Sequence, residues 1–164
     1  MNFKNFILTL TLVTVAQSSH AQTNEQWVEW GDRVHGGFGS LIAYGVLIGN
    51  DSLVRLNAQR RDVTVEYTDG ANTPCACVLD GIAIAVSASL GQRTMKLNEF
   101  RTEEGLLARI KFTNKKTSQS VIYELPISAM PIMAAINKDY EPNKRLEAVQ
   151  NLKPSLLYSI KPTQ

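Results

Sequence analysis

Between Phe38 and Asn57 the chain repeats at helical intervals, and Leu41, Gly45, Gly49 and Leu53 fall on one stripe with Ile42, Val46 and Ile48 nearby. A glycine inside a helix costs about 0.8–1.0 kcal/mol relative to alanine. Two of them four residues apart in an apolar segment need a compensating gain, and a missing Cβ supplies one by letting another backbone approach. The pattern predicts a buried helix with a second element packed closely against its glycines. That contact restricts the fold more than any other feature of the sequence.

The remaining elements follow from periodicity and punctuation. Thr23 and Gln26 stand at capping-box spacing, and Trp27, Trp30 and Val34 recur at helical intervals, which predicts a first helix from about Asn24 to Val34. His35-Gly36-Gly37 breaks it. From Arg61 to Tyr67, Val63, Val65 and Tyr67 alternate with Asp62, Thr64 and Glu66 as in a half-buried strand, and Asp69-Gly70 forms the turn after it. Pro74 suits the entry to an apolar third helix, Val78 to Ala88, which Gly91 ends. Thr94 to Leu97, Leu106 to Thr113 and Ser120 to Leu125 read as strands, the last two joined by a hairpin at Asn114-Lys115-Lys116-Thr117. Helices are expected at Ile127 to Ile136 and Asn143 to Leu152, and a terminal strand at Leu156 to Ile160. Partly segregated helices and strands with a central meander argue for an α+β class, a mostly antiparallel sheet with helices packed against it.

The N-terminus limits where such a domain acts. Lys4 precedes an apolar run from Phe6 to Ala16, and the small residues of Ser19-His20-Ala21 mark a cleavage site, so residues 1–21 read as a signal peptide and 22–164 as one domain, periplasmic or secreted. A membrane-spanning helix needs roughly 20 apolar residues, which this run lacks, so no membrane insertion is expected after cleavage. The first cysteine is Cys75, far from any lipid-attachment position. The whole chain carries a formal net charge of +2, and its longest basic runs are the pairs Arg60-Arg61 and Lys115-Lys116, which excludes a phosphate track and with it a nucleic-acid partner.

Three segments carry chemistry. His35-Gly36-Gly37-Phe38-Gly39-Ser40 opens the buried helix, and Gly36, Gly37 and Ser40 are candidates to line a site for a small anionic ligand at its N-terminus. Cys75 and Cys77 flank Ala76 at the start of the third helix, where the local field favours thiolate, the form that ligates metals and attacks disulfides. In an oxidising compartment such a pair also closes to a disulfide, though residues this close require a small ring. Inert packing of the two thiols is the third reading. Asp80, among Val78, Leu79, Ile82 and Ile84, needs a partner if buried, and it can cap a turn, orient a metal ligand or hold the second nitrogen of a histidine. Only one histidine, His35, follows the leader, so a His-rich zinc site within one subunit is excluded.

The run His35 to Gly45 resembles the opening motif of the FmdE family of formylmethanofuran dehydrogenase components, whose pattern runs His-Gly-His-x-Cys-Pro and ends in a glycine at the same distance. Cys77-Val78-Leu79-Asp80-Gly81-Ile82 resembles its Cys-x-x-Asp-Ala/Gly-Ile motif, and the likeness extends from about Trp27 to Leu125. The resemblance implies an α+β domain, homodimers, and a metal, often zinc, held by histidine and cysteine, with His35, Cys77 and Asp80 at matching positions. This chain has Gly37 for the motif's second histidine, Gly39 for its cysteine, Ser40 for its proline and Ala88 where a further cysteine often falls. Cys75 is an additional thiol. The expected site is therefore a divalent metal, zinc by resemblance, on His35, Cys75 and Cys77, with Asp80 beside it or as fourth ligand, serving a redox or one-carbon-related role. The rivals are a non-catalytic binding module and a thiol-disulfide protein using Cys75 and Cys77.

Overall fold

The computed structural model describes residues 22–98, 100–102 and 104–161, so the leader at residues 1–21 lies outside the described residues. Thr23 and Gln26 form the expected reciprocal capping box at the head of α1 (Asn24–His35), and Gly36, in the left-handed region at φ 82°, closes the helix. α2 (Ser40–Arg55) follows, then β1 (Val63–Asp69), α3 (Cys77–Val86), β2 (Met95–Leu97), β3 (Leu106–Asn114) and β4 (Ser120–Pro126). The chain ends in α4 (Ala129–Asp139), α5 (Pro142–Gln150), a short α6 (Pro154–Leu157) and β5 (Ser159–Lys161).

The five strands form one sheet in the order β2-β1-β3-β4-β5. β1 and β2 are parallel and all other neighbours antiparallel, so the class is α+β with a single β1-α3-β2 crossover at one edge. Strand alternation decides which face is covered. Val63, Val65 and Tyr67 of β1, Ile110 and Phe112 of β3, and Val121, Tyr123 and Leu125 of β4 are buried. The intervening positions carry ion pairs instead: Arg109 with Glu124 at 2.8 Å and Lys161 with Glu124 at 3.4 Å. Hydrogen bonds tie the helices to the covered side. Tyr123 donates to Asp51 of α2 at 2.6 Å, Asn114 donates to the Leu56 carbonyl at 3.1 Å, and the buried Tyr44 hydroxyl donates to the Leu157 carbonyl.

The stripe glycines of α2 meet α3. A Cβ on Gly45 would lie 2.9 Å from the Gly81 Cα and closer still to the Val78 carbonyl oxygen, while a Cβ on Gly81 would strike the Ile42 carbonyl. A Cβ on Gly49 would lie 2.6 Å from the Ala85 Cβ. Ile42, Val46, Ile82 and Val86 are buried in the same core. At Gly45 and Gly81, α3 is thereby held against α2 by backbone on backbone, with no side chain able to adjust.

Three expectations differ from the structure. The third helix ends at Val86, closed by Ser87 in the left-handed region at φ 56°, and not at Gly91. Leu156 to Ile160 does not form a strand throughout, because Pro154 sits at the first position of a helical turn, where its fixed φ is suited and its missing N–H costs nothing, and only Ser159–Lys161 joins the sheet. The strand read as ending at Tyr67 continues to Asp69, since β3 pairs with it as far as Ala108. Among the described residues no single helix is long and apolar enough to cross a membrane.

Gly45→Ala and Gly81→Ala are each expected to destabilise the fold by about 1–3 kcal/mol through overpacking against backbone. Gly37→Ala, whose Cβ would meet nothing within 4 Å, serves as the control. Thermal melts of the three variants check this, and equal melting temperatures would contradict it.

Candidate functional site

The site forms where the C-terminal ends of α1 and β1 meet the N-terminus of α3. The segment leading into α3 is pinned from outside: Arg101 Nη1 donates to the carbonyls of Gly70, Ala71 and Thr73 at 3.3, 3.2 and 3.1 Å, and the Thr73 hydroxyl donates to the Leu107 carbonyl. Gly70 is required here because a Cβ would collide with the Leu106 carbonyl. Cys75 and Cys77 follow, joined by a disulfide with their Cα atoms 5.3 Å apart, and no cysteine is free. Both are half-buried. Cys77 is the first residue of α3, and its cap, Ala76, offers no side-chain acceptor to the first-turn N–H groups. Cys77 therefore stands at the positive end of the helix, whose first-turn N–H groups receive no side-chain cap.

One turn further on, Asp80 Oδ2 lies 2.8 Å from His35 Nδ1. The pair bridges α1 and α3 and is about one-third exposed on each side, 34% for His35 and 36% for Asp80. With Asp80 as carboxylate, Nδ1 carries the proton and donates it, leaving Nε2 as the ring's free nitrogen. Cys77 and Asp80 are three apart on one helix, so the disulfide and the His-Asp pair share a face.

Behind them, β1 contributes two buried polar atoms that lack a hydrogen-bond partner, Tyr67 Oη and Asp69 Oδ1. Burial pushes the Tyr67 hydroxyl well above its ordinary range, and the charges of Asp69 and Asp80 push it the same way. Burial likewise raises the Asp69 carboxyl, with Arg101 acting in opposition. Neither residue was a site candidate from the sequence. Tyr67 fits the strand's apolar alternation and Asp69 fits a turn, so local pattern gave each an ordinary explanation.

The sequence candidates are thus distributed unequally. His35 and Asp80 meet, and Cys75 and Cys77 are bonded to each other. A closed disulfide offers no thiolate, and among the described residues no group of three or more His, Cys, Asp or Glu side chains is arranged to hold a metal ion. In this state the donor set does not fit a metal. Gly36 closes α1, and nothing lies within 4 Å of the Cβ position of Gly37. Ser40 is engaged inside the fold: its N–H donates to Asn137 Oδ1 at 2.7 Å and its hydroxyl to the Met133 carbonyl at 2.8 Å. Asn137 thus occupies the N-terminus of α2.

Residues 34–159 match the family model for FmdE, described as molybdenum formylmethanofuran dehydrogenase operon. No curated protein matches the chain.

The raised Asp69 carboxyl makes a pH prediction. The folded state holds this proton to higher pH than the unfolded chain does, so the contribution is present below the ordinary carboxylate range and is lost as pH rises through the raised value. Asp69→Asn should gain on the wild type in Tm as pH rises above the ordinary carboxylate range. A constant difference across that rise would show that Asp69 titrates alike folded and unfolded.

Proposed function

The chain belongs to the FmdE family, and we propose that this member is an exported domain that exchanges its Cys75–Cys77 disulfide with external thiols. The observation that carries the reading is the disulfide itself, half-buried at the head of α3 and one turn from the His35-Asp80 pair. Its size argues against a structural staple. Loop entropy from so small a ring contributes about 1.6 kcal/mol, against about 4.7 for a hundred-residue loop. The buried core is built of other residues, with Cys77 only partly buried against it.

The reaction balances between one disulfide and two thiols. An external thiolate attacks one sulfur of the pair, the Cys75–Cys77 bond breaks, and a mixed disulfide forms while the other cysteine leaves as thiolate. A second external thiol displaces the first product, giving the protein dithiol and an external disulfide. The N-terminus of α3 stabilises a Cys77 thiolate by about 0.3–1 kcal/mol, and a lower thiol pKa makes a better leaving group. His35, held through Nδ1 by Asp80, can take a proton at Nε2 from an incoming thiol and then pass it to that thiolate. Export directed by residues 1–21 would carry this chemistry into an oxidising compartment.

A second reading concerns the reduced form. Opening the disulfide supplies two thiols beside a histidine whose Nδ1 is bound by a carboxylate, an arrangement common among metal-ligating histidines. His35, Cys75 and Cys77, with Asp80, would then hold a divalent metal such as zinc, in keeping with the family resemblance. Bound there, the metal would supply Lewis acidity.

Both readings are separable in one preparation. The chain is equilibrated in glutathione buffers of graded redox ratio, quenched and alkylated, and its thiols are counted by mass. Exchange predicts a reversible, two-thiol transition that is absent from Cys75→Ser. A pair that stays oxidised through every buffer, or stays reduced through every buffer, would contradict it. Zinc titration of the reduced protein should show binding that His35→Ala weakens if the second reading holds, and no retained zinc removes that reading.

A further inference from the structure

Beside the His35-Asp80 pair, α1 and α3 enclose an open pocket of about 260 Å³ lined by Trp30, Arg33, Val34, Arg60, Ala83, Ile84 and Ser87. Its floor is apolar and its basic groups are two guanidiniums. They differ in what they already hold. Arg33 is on the surface and pairs with Glu29 at 2.6 Å in the i,i+4 manner. Arg60 is half-buried, with its guanidinium carbon 5.4 Å from the Trp27 ring centroid and 5.8 Å from that of Trp30. Its polar contact is the neutral Gln22 side chain, and no carboxylate among the described residues pairs with it. A half-buried cation stacked on two indoles, with no carboxylate beside it among the described residues, is chemically suited to an anion from outside.

The pocket is aligned with the disulfide. Cys77, Asp80 and Ile84 occupy successive turns of one face of α3 and Ser87 caps its end, so Ile84 lies about 10 Å along the axis from Cys77. The His35-Asp80 pair stands between the two, on the same interhelical seam. A molecule seated over this seam would have its reacting sulfur at Cys77, its middle beside His35 and its far end at Arg60.

We propose that this seam selects the exchange partner: a low-molecular-weight thiol, or its disulfide, that carries a carboxylate far enough from its sulfur, about two helical turns, to reach Arg60 over the Trp30-Ile84 floor. The inference rests on the disulfide-exchange reading and adds the chemical class of the partner. The covalent step is unchanged. The carboxylate raises local concentration and fixes orientation, so its effect belongs to the bimolecular rate and not to the position of equilibrium.

The test compares three thiols on the full oxidised domain: glutathione, which bears carboxylates, mercaptoethanol, which is neutral, and cysteamine, which is cationic. Rates of disulfide opening are corrected for thiolate fraction. Glutathione should exceed the other two by roughly tenfold, within the range electrostatic steering produces, and its rate should fall with added salt while that of mercaptoethanol stays flat. Arg60→Met keeps an unbranched apolar stem near the indoles and removes the charge, and it should abolish the preference while leaving the mercaptoethanol rate unchanged. If that variant folds poorly, the salt dependence in the wild type decides the same point. Equal corrected rates for the three thiols, or a loss in Arg60→Met shared equally by glutathione and mercaptoethanol, would overturn the inference but leave exchange standing. A disulfide inert to all three would overturn the exchange reading and this one with it.

Discussion

The contact on which the rest depends is the backbone approach of α2 to α3 at Gly45 and Gly81. It allows no tolerance, because each glycine faces a carbonyl of the opposite helix. With α3 fixed in this way, its first residue, Cys77, comes to rest near the C-terminal end of β1, and its exposed face is turned toward the end of α1. The disulfide, the His35-Asp80 bridge and the Trp30-Arg60 pocket all lie along that face. The crossover from β1 through α3 to β2 strengthens the arrangement, since it brings the loop before α3 to one end of two parallel strands. Arg101 then anchors that loop from beyond β2.

Much of this was legible in the sequence because it is written in local pattern. The capping box at Thr23, the glycine stripe, the alternation of β1 and the Pro74 entry to α3 each specify a short stretch without reference to distant residues. The close backbone contact itself was readable from Gly45 and Gly49, because glycine inside an apolar helix calls for compensation. What could not be read was which element supplied the partner. Gly81 has no periodic signature of its own, and the parallel pairing of β1 with the three-residue β2 is a matter of topology. The terminal strand is shorter than its apolar residues suggest, because Pro154 places Leu156 and Leu157 in a helical turn.

The candidate site was legible in its parts and not in its state. His35, Cys75, Cys77 and Asp80 stand out by residue type, and the proximity of His35 to Asp80 across 45 positions emerges only in the fold. Whether two thiols so close in sequence ligate, bridge or pack is decided by the geometry of the loop that carries them, which depends on Arg101 and Thr73. Arg60 carries no distinguishing signal in the sequence, because a pair of basic residues in a loop reads as solvated. Its burial against Trp27 and Trp30 depends on α1, a distant stretch of the chain. Gly37, Gly39 and Ala88 offer no side-chain donor, and the chain's two cysteines are paired with each other.

The central claim is that the native resting form of this chain is a disulfide protein. The most direct measurement is the intact native mass of the chain, isolated without reductant and with free thiols blocked at the moment of lysis. The account predicts a species lighter by two hydrogens than the reduced chain, carrying no blocking group and no metal. A species carrying two blocked thiols, or a bound metal ion with both thiols protected until it is chelated away, would contradict it.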